Sequence, residues 1–263
     1  MNKHLFPFLT LLGTALLFTC NAAFGAFEGM RAKKYFPDER LADLAATAAA
    51  GKTAKMQKLL DQGVDVNARG EGGMTVLCWA LLRNSKSGFL FLLEHGANPN
   101  VEGDGPNLMG VPGFSVMTYA AMNEDIWWLQ TVLAHGGNPN FVSSLERATP
   151  IFPAINAGLP VSPRIEHVRL LIKAGANLEA RNCLGETPAV YAAYTKDFQI
   201  VYELLKAGAD PKSRDQVGST IASLIQRYPM VESGPIYEWR EKVIGQLKAA
   251  GIDLGGRSKW ATP

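Results

Sequence analysis

Cysteine is scarce here, with three residues in 263, and Cys20 falls in an apolar N-terminal segment. Charge of one sign is missing too. Lys and Arg number 26 against 24 Asp and Glu, a formal net charge of +2 with no basic stripe, which argues against a nucleic-acid binder. Catalytic signatures are equally absent: no G-x-S-x-G elbow, H-E-x-x-H pair or phosphate loop occurs. The histidines beyond the first few residues are His95, His135 and His167. His95 and His135 each stand just before a glycine in equivalent contexts, where an imidazole suits the negative end of a helix. His167 has no cysteine or acidic cluster around it at metal-ligand spacing. The chain therefore reads as having no enzymatic site of its own, no cofactor and no metal.

One apolar run stands out. Lys3 and His4 precede LFPFLTLLGTALLF, too short and too close to the start for an ordinary membrane span, and small residues follow. Residues 1–25 read as a signal peptide with cleavage before Ala26, which implies export to a periplasm. An alternative rests on Leu17-Phe18-Thr19-Cys20, which resembles a bacterial lipobox with Thr19 in place of the usual Gly or Ala. In that reading Cys20 carries lipid and anchors the protein at the outer membrane.

Past this segment the chain repeats itself. Helix-ending glycines fall at Gly63, Gly96, Gly136, Gly175, Gly208 and Gly251, in contexts such as QGVDVN, HGANPN and AGADPK. Helix-opening hydroxyls fall at Thr75, Ser115, Thr149, Thr187 and Thr220. Opener to closing Gly spans 21, 21, 26, 21 and 31 residues, and Gly to the next opener 12, 19, 13, 12 and 12. The base unit is 33 residues with local insertions. Within TPAVYAAYTKDFQIVYELLKAGAD, Thr187 is expected to cap a first helix opened by Pro188. Alanines keep that helix thin, and Phe198, Val201, Leu204 and Leu205 give the second an apolar face. A pair this small cannot bury its own faces and needs copies on either side.

This period, with its Thr-Pro openers and Gly-Ala-Asp/Asn closers, resembles the ankyrin repeat over about residues 38–254. The resemblance implies an all-α solenoid of about six helix–turn–helix repeats joined by short hairpin-like fingers. The remaining chain divides into a linker over 26–37 and a flexible tail over 255–263. The family's usual His three residues after the opener is missing: Cys78, Thr118, Phe152, Val190 and Ser223 occupy that position. The inter-repeat hydrogen bonds of that His are expected to be lost, at a cost in stability. In a stack of repeats Cys78 and Cys183 should lie too far apart to pair and serve as small packing residues. Asp65, Asn98, Asn138, Asn177 and Asp210, two after each closing Gly, read as turn formers bonding their own backbone.

Insertions interrupt the period at 101–114, 157–164 and 228–238. The first lengthens a finger and carries Leu108, Met109, Val111 and Phe114. In an ankyrin array the fingers and first helices line the concave face, so this insertion is the one placed to touch a partner. The other two are expected to fill gaps or wrap the stack. Four after the opener stand Trp79, Tyr119, Pro153, Tyr191 and Leu224, a column pointing toward the concave face by the same resemblance. Trp79 and Tyr191 have core packing as their competing reading; Tyr119, beside the long finger, is the expected contact. Of Trp127 and Trp128, one should face the stack, with Trp128 the core residue. The candidate partner-binding set is Trp79, Leu108, Met109, Phe114, Tyr119 and Tyr191. The resemblance implies a monomeric protein-interaction scaffold in a bacterial envelope. Its sharper form is an immunity protein neutralising an antibacterial effector; the alternative is a periplasmic accessory factor supporting another envelope enzyme.

Overall fold

The six closing glycines take the conformation their position demands. φ is 82° at Gly63, 85° at Gly96, Gly136 and Gly175, 102° at Gly208 and 73° at Gly251. A side chain there would cost about 1–2 kcal/mol. In a computed structural model of the chain, residues 31–103, 115–144, 146–156, 161–227 and 233–254 are described. The residues read as a signal peptide, Cys20 among them, and those read as a tail lie outside this set, as do Leu108, Met109 and Phe114.

Twelve α-helices occur among the described residues: α1 (Glu39–Ala49), α2 (Thr53–Asp61), α3 (Val76–Leu82), α4 (Lys86–Glu94), α5 (Val116–Met122), α6 (Ile126–Ala134), α7 (Ile151–Ile155), α8 (Val161–Lys173), α9 (Pro188–Tyr194), α10 (Phe198–Lys206), α11 (Ile221–Arg227) and α12 (Pro235–Ala249). They pair into hairpins, and among the described residues the fingers show two isolated bridges, Arg69 with Thr75 and Glu102 with Ser115. Thr75, Ser115 and Thr220 cap as their openers predict, accepting from the amides of Cys78, Thr118 and Ser223. Thr187 does not: its side chain makes no capping bond, and Pro188 alone opens α9. Proline lacks the amide and has φ preset, so this helix start tolerates the missing cap.

Two compact units divide the chain, Met1–Asn138 with Ser143–Leu145, and Pro139–Val142 with Glu146–Pro263. The first holds hairpins α1–α2, α3–α4 and α5–α6 around Leu44, Leu77, Leu81, Phe89, Leu92, Met117 and Trp128. Ala42, Ala45 and Ala48 keep α1 thin, so α4 comes very near: a Cβ on Gly88 would sit 2.0 Å from the Ala48 carbonyl oxygen. Ser85 donates to that same oxygen at 2.6 Å.

The stretch expected as a linker is folded from residue 31 on. Ala32–Lys34 makes a 3-10 turn, Phe36 is wholly buried, and the Tyr35 carbonyl accepts the Glu71 amide at 2.7 Å. Gly70 admits this contact, since a Cβ there would fall 2.1 Å from the Tyr35 oxygen. Phe36 and Tyr35 pack on Trp79, with ring centroids 5.9 and 5.6 Å away.

The second unit holds α7–α8, α9–α10 and α11–α12. Here the insertions lengthen helices rather than forming only loops: α8 has 13 residues and α12 has 15, against nine in α2, α4, α6 and α10. The added turn of α8 ends in a pin. Arg164 makes a bidentate pair with Asp197 at 2.6 and 2.9 Å and donates to the Ile155 carbonyl at 2.6 Å. Thr195 donates to the same carboxylate.

Candidate protein-binding surface

The fingers are held by side chains placed at fixed distances from the closing glycine. Two residues after it, Asp65, Asn98, Asn177 and Asp210 each accept the amide two positions further on at 2.9 Å, as their turn-forming role predicts. Four residues after it stands a set not foreseen from the sequence. Asn67 donates to the Gly96 carbonyl and accepts the Asn98 amide. Asn100 does the same with Gly136 and Asn138, and Asn140 with Gly175 and Asn177. In the fourth repeat Glu179 substitutes, accepting from the Asp210 amide and the Ser213 hydroxyl. These bonds join one repeat to the next. The signal was visible: Asn recurs at that offset in three of six copies.

His95 and His135 also behave alike. Each Nδ1 faces the carbonyl four residues back, Phe91 at 2.7 Å and Thr131 at 2.8 Å, so both complete helix ends. Among the described residues no group of three or more His, Cys, Asp or Glu could hold a metal ion. Cys78 and Cys183 are free thiols. Burial pushes the Cys78 thiol up to about 12. Cys183 is exposed on a finger, which corrects its reading as a packing residue, and its amide donates to the Glu146 carbonyl at 2.8 Å.

The aromatic column is largely interior. Trp79 keeps 1% and Tyr119 3% of its surface, so neither can contact a partner, and the expectation for Tyr119 is corrected. Trp79 is covered by Tyr35 and Phe36, whose ring centroids lie 5.6 and 5.9 Å from its own. Tyr191 is half-buried, edge-on to Phe152 at 5.7 Å, and burial raises its phenol above the ordinary range against a hydrogen bond from Asn156. Trp128 is buried as expected, while Trp127 is partly open with Lys86 5.0 Å from its ring.

Other side chains are presented instead. Val142, Leu184 and Val217 are exposed on fingers of the second unit. Beneath them Glu186 is buried: Asn182 donates to its carboxylate at 2.6 Å, and burial, with Asp215 nearby, raises its pKa. Asp215 receives the Tyr194 hydroxyl at 2.6 Å. In the first unit a groove of about 400 Å³ lies between Ala32, Ala42 and Ala46 on one side and Trp79 and Arg83 on the other. No helix among the described residues is long and apolar enough to cross a membrane.

A family model described as ankyrin repeats, in three copies, matches residues 117–215. An ankyrin repeat domain from Acinetobacter baumannii AYE superposes with a TM-score of 0.63 at 28% identity, covering 80% of this chain and 98% of that one. A second ankyrin repeat protein superposes at 0.61 with 20% identity over 81% and 98%, a likeness of fold. The mitochondrial disaggregase of Bos taurus is 27% identical over 213 residues, which is 81% of this chain but 28% of that protein. The chain thus spans little more than a quarter of that relative, whose name describes the whole. Hairpins closed by left-handed glycines, fingers bonded from copy to copy and the matched repeats agree: the chain carries ankyrin repeats and has the fold of ankyrin repeat domains.

Proposed function

We propose that this protein is a docking scaffold for another protein and that its contacts lie on the fingers rather than in the aromatic column. Ankyrin arrays are in general binding scaffolds without enzymatic activity. The observation that carries the reading is placement. Trp79 and Tyr119 are consumed by packing, whereas Val142 and Leu184 stand 55% and 42% exposed on hairpin tips. An apolar side chain held out on a backbone already fixed by hydrogen bonds loses little freedom on binding. The 101–114 insertion carries Leu108, Met109 and Phe114 in sequence.

The apolar segment at 1–25 supports action in a bacterial envelope after export. An exported array with a small binding surface suits an immunity protein that blocks an antibacterial effector. An accessory factor for an envelope enzyme is the alternative, and gene neighbourhood separates them: an adjacent toxin gene favours the first, an adjacent oxidoreductase the second.

Capture from envelope extract on the immobilised full chain tests the finger assignment. Combined Val142→Asp and Leu184→Asp should weaken capture of the retained partner at least about tenfold, as loss of central apolar contacts does, with helix content unchanged. Tyr119→Ala should instead lower the unfolding temperature. Undiminished capture by the double variant would remove the fingers from the account.

A further inference from the structure

The groove of the first unit begins with what α1 lacks. Of its residues, ERLADLAATAA, Ala42, Ala45 and Ala48 are buried, as close packing requires. Ala46 and Ala50, the latter ending the helix, are exposed. An outward helix position is ordinarily filled by a long polar side chain. Ala42, Ala46 and Ala50 recur every fourth residue and so fall along one face.

Large residues hold the matching places in α3. Ala42 and Ala46 stand four and eight after the cap Asp38, and Trp79 and Arg83 stand four and eight after the cap Thr75. Small residues set against large ones leave the open volume of about 400 Å³. Its alanine floor, from residue 42 to 50, is about 12 Å long at the helical rise of about 1.5 Å per residue. That is the reach of roughly four residues of extended chain.

The polar groups around this floor are donors with one exception. Arg31 and Lys33 come from the turn before α1, and Arg83 from the end of α3. The indole N–H of Trp79, buried in the wall, has no acceptor among the described residues. Asp43 is the exception. Three cations against one carboxylate give the groove a positive field, although the whole chain carries only +2. Lys33 meets Glu39 at 3.2 Å, but these side chains are 70% and 84% exposed, so water screens the pair and a second anion can share the ammonium. The Arg83 guanidinium lies over the Trp79 ring, 5.8 Å from its centroid, which sets its planar fork beside the floor.

We propose that this groove binds a short acidic stretch of a partner protein in extended form, with the pattern acidic, small, acidic. Alternate side chains of an extended chain face opposite ways. The small residue therefore meets the alanine floor while the two carboxylates rise to the rim, one to Arg83 and one to Arg31 and Lys33. A basic or purely aliphatic segment fits the volume but not the charge. The groove belongs to the first unit, whereas Val142 and Leu184 belong to the second, so this is a binding site additional to the fingers.

Titration of the full chain with an acetylated, amidated Ala-Glu-Ala-Glu-Ala peptide tests this, read by the indole N–H resonance of Trp79. That resonance should move saturably while the Trp239 resonance stays in place. The Ala-Gln-Ala-Gln-Ala counterpart should bind at least about tenfold more weakly, as should the Glu peptide to Arg83→Gln, since each loses a charge-assisted bond. Ala46→Phe fills the groove from an exposed position and keeps every charge; it should abolish binding with helix content unchanged. Asp43→Asn should tighten binding. Equal affinity for the Gln peptide would overturn the proposal. Undiminished binding to Ala46→Phe would also overturn it, by reducing the attraction to a diffuse surface field. Equally tight binding of an acetylated pentaalanine with a free C-terminal carboxylate would assign the groove to chain ends and overturn it too. Val142→Asp with Leu184→Asp should leave the titration unchanged, so failure of the groove and failure of the finger assignment are read separately.

Discussion

Asn67, Asn100 and Asn140 tie neighbouring repeats together. Each contributes an amide donor and a carbonyl acceptor to the next repeat. Asn100→Ala should therefore cost about 1–2 kcal/mol in urea unfolding. Glu186 carries a pH dependence. Burial, then Asp215, raises its folded pKa above the ordinary 4.5, against the Asn182 bond that lowers it. The folded state then binds the proton more tightly than the unfolded one. Its contribution to stability is greatest below that ordinary value and declines as pH rises through the raised one. Glu186→Gln keeps an acceptor for Asn182 and removes the charge. The stability of the variant relative to the parent should rise between pH 4.5 and neutrality, as read by paired urea titrations; a constant difference would show that burial does not perturb this carboxyl.

Helix pairs were legible wherever glycine and hydroxyl punctuation framed them, because both residue types act locally. Helix lengths were not. The extra residues before Arg164 could have formed a loop, and they enter α8 because Asp197 and the Ile155 carbonyl are there to receive the guanidinium. Both side chains are near one-tenth exposed. Arg164→Ala should cost about 3 kcal/mol by stranding Asp197, and the added cost of Asp197→Ala on that background should be much smaller. A double-mutant cycle by calorimetry gives the comparison. Gly88 illustrates an element held by what it lacks. Alanine would favour α4 locally, yet a Cβ would press within 2.0 Å of the Ala48 oxygen. Gly88→Ala should lower stability by about 2 kcal/mol or more, as overpacking does.

Across the whole molecule, the ends of the array decide more than its centre. The first hairpin is completed from outside its own repeat by Phe36 and Tyr35, residues with no periodic mark in the sequence. Phe36→Ala should cost about 3–5 kcal/mol, with the change in urea midpoint as the measure, although the residue precedes every recognisable repeat. The sequence alone determined the number of repeats, the glycine and hydroxyl punctuation of the hairpins and the inward alanine and leucine faces, since those follow from backbone preference and periodicity within a few residues. Tertiary structure decided what each polar or aromatic position was for. Asn67 and Arg164 acquire roles only through carbonyls some nine to thirty residues away. Trp79 is interior because Tyr35 and Phe36 close over it, and burial depends on neighbours that no local pattern specifies.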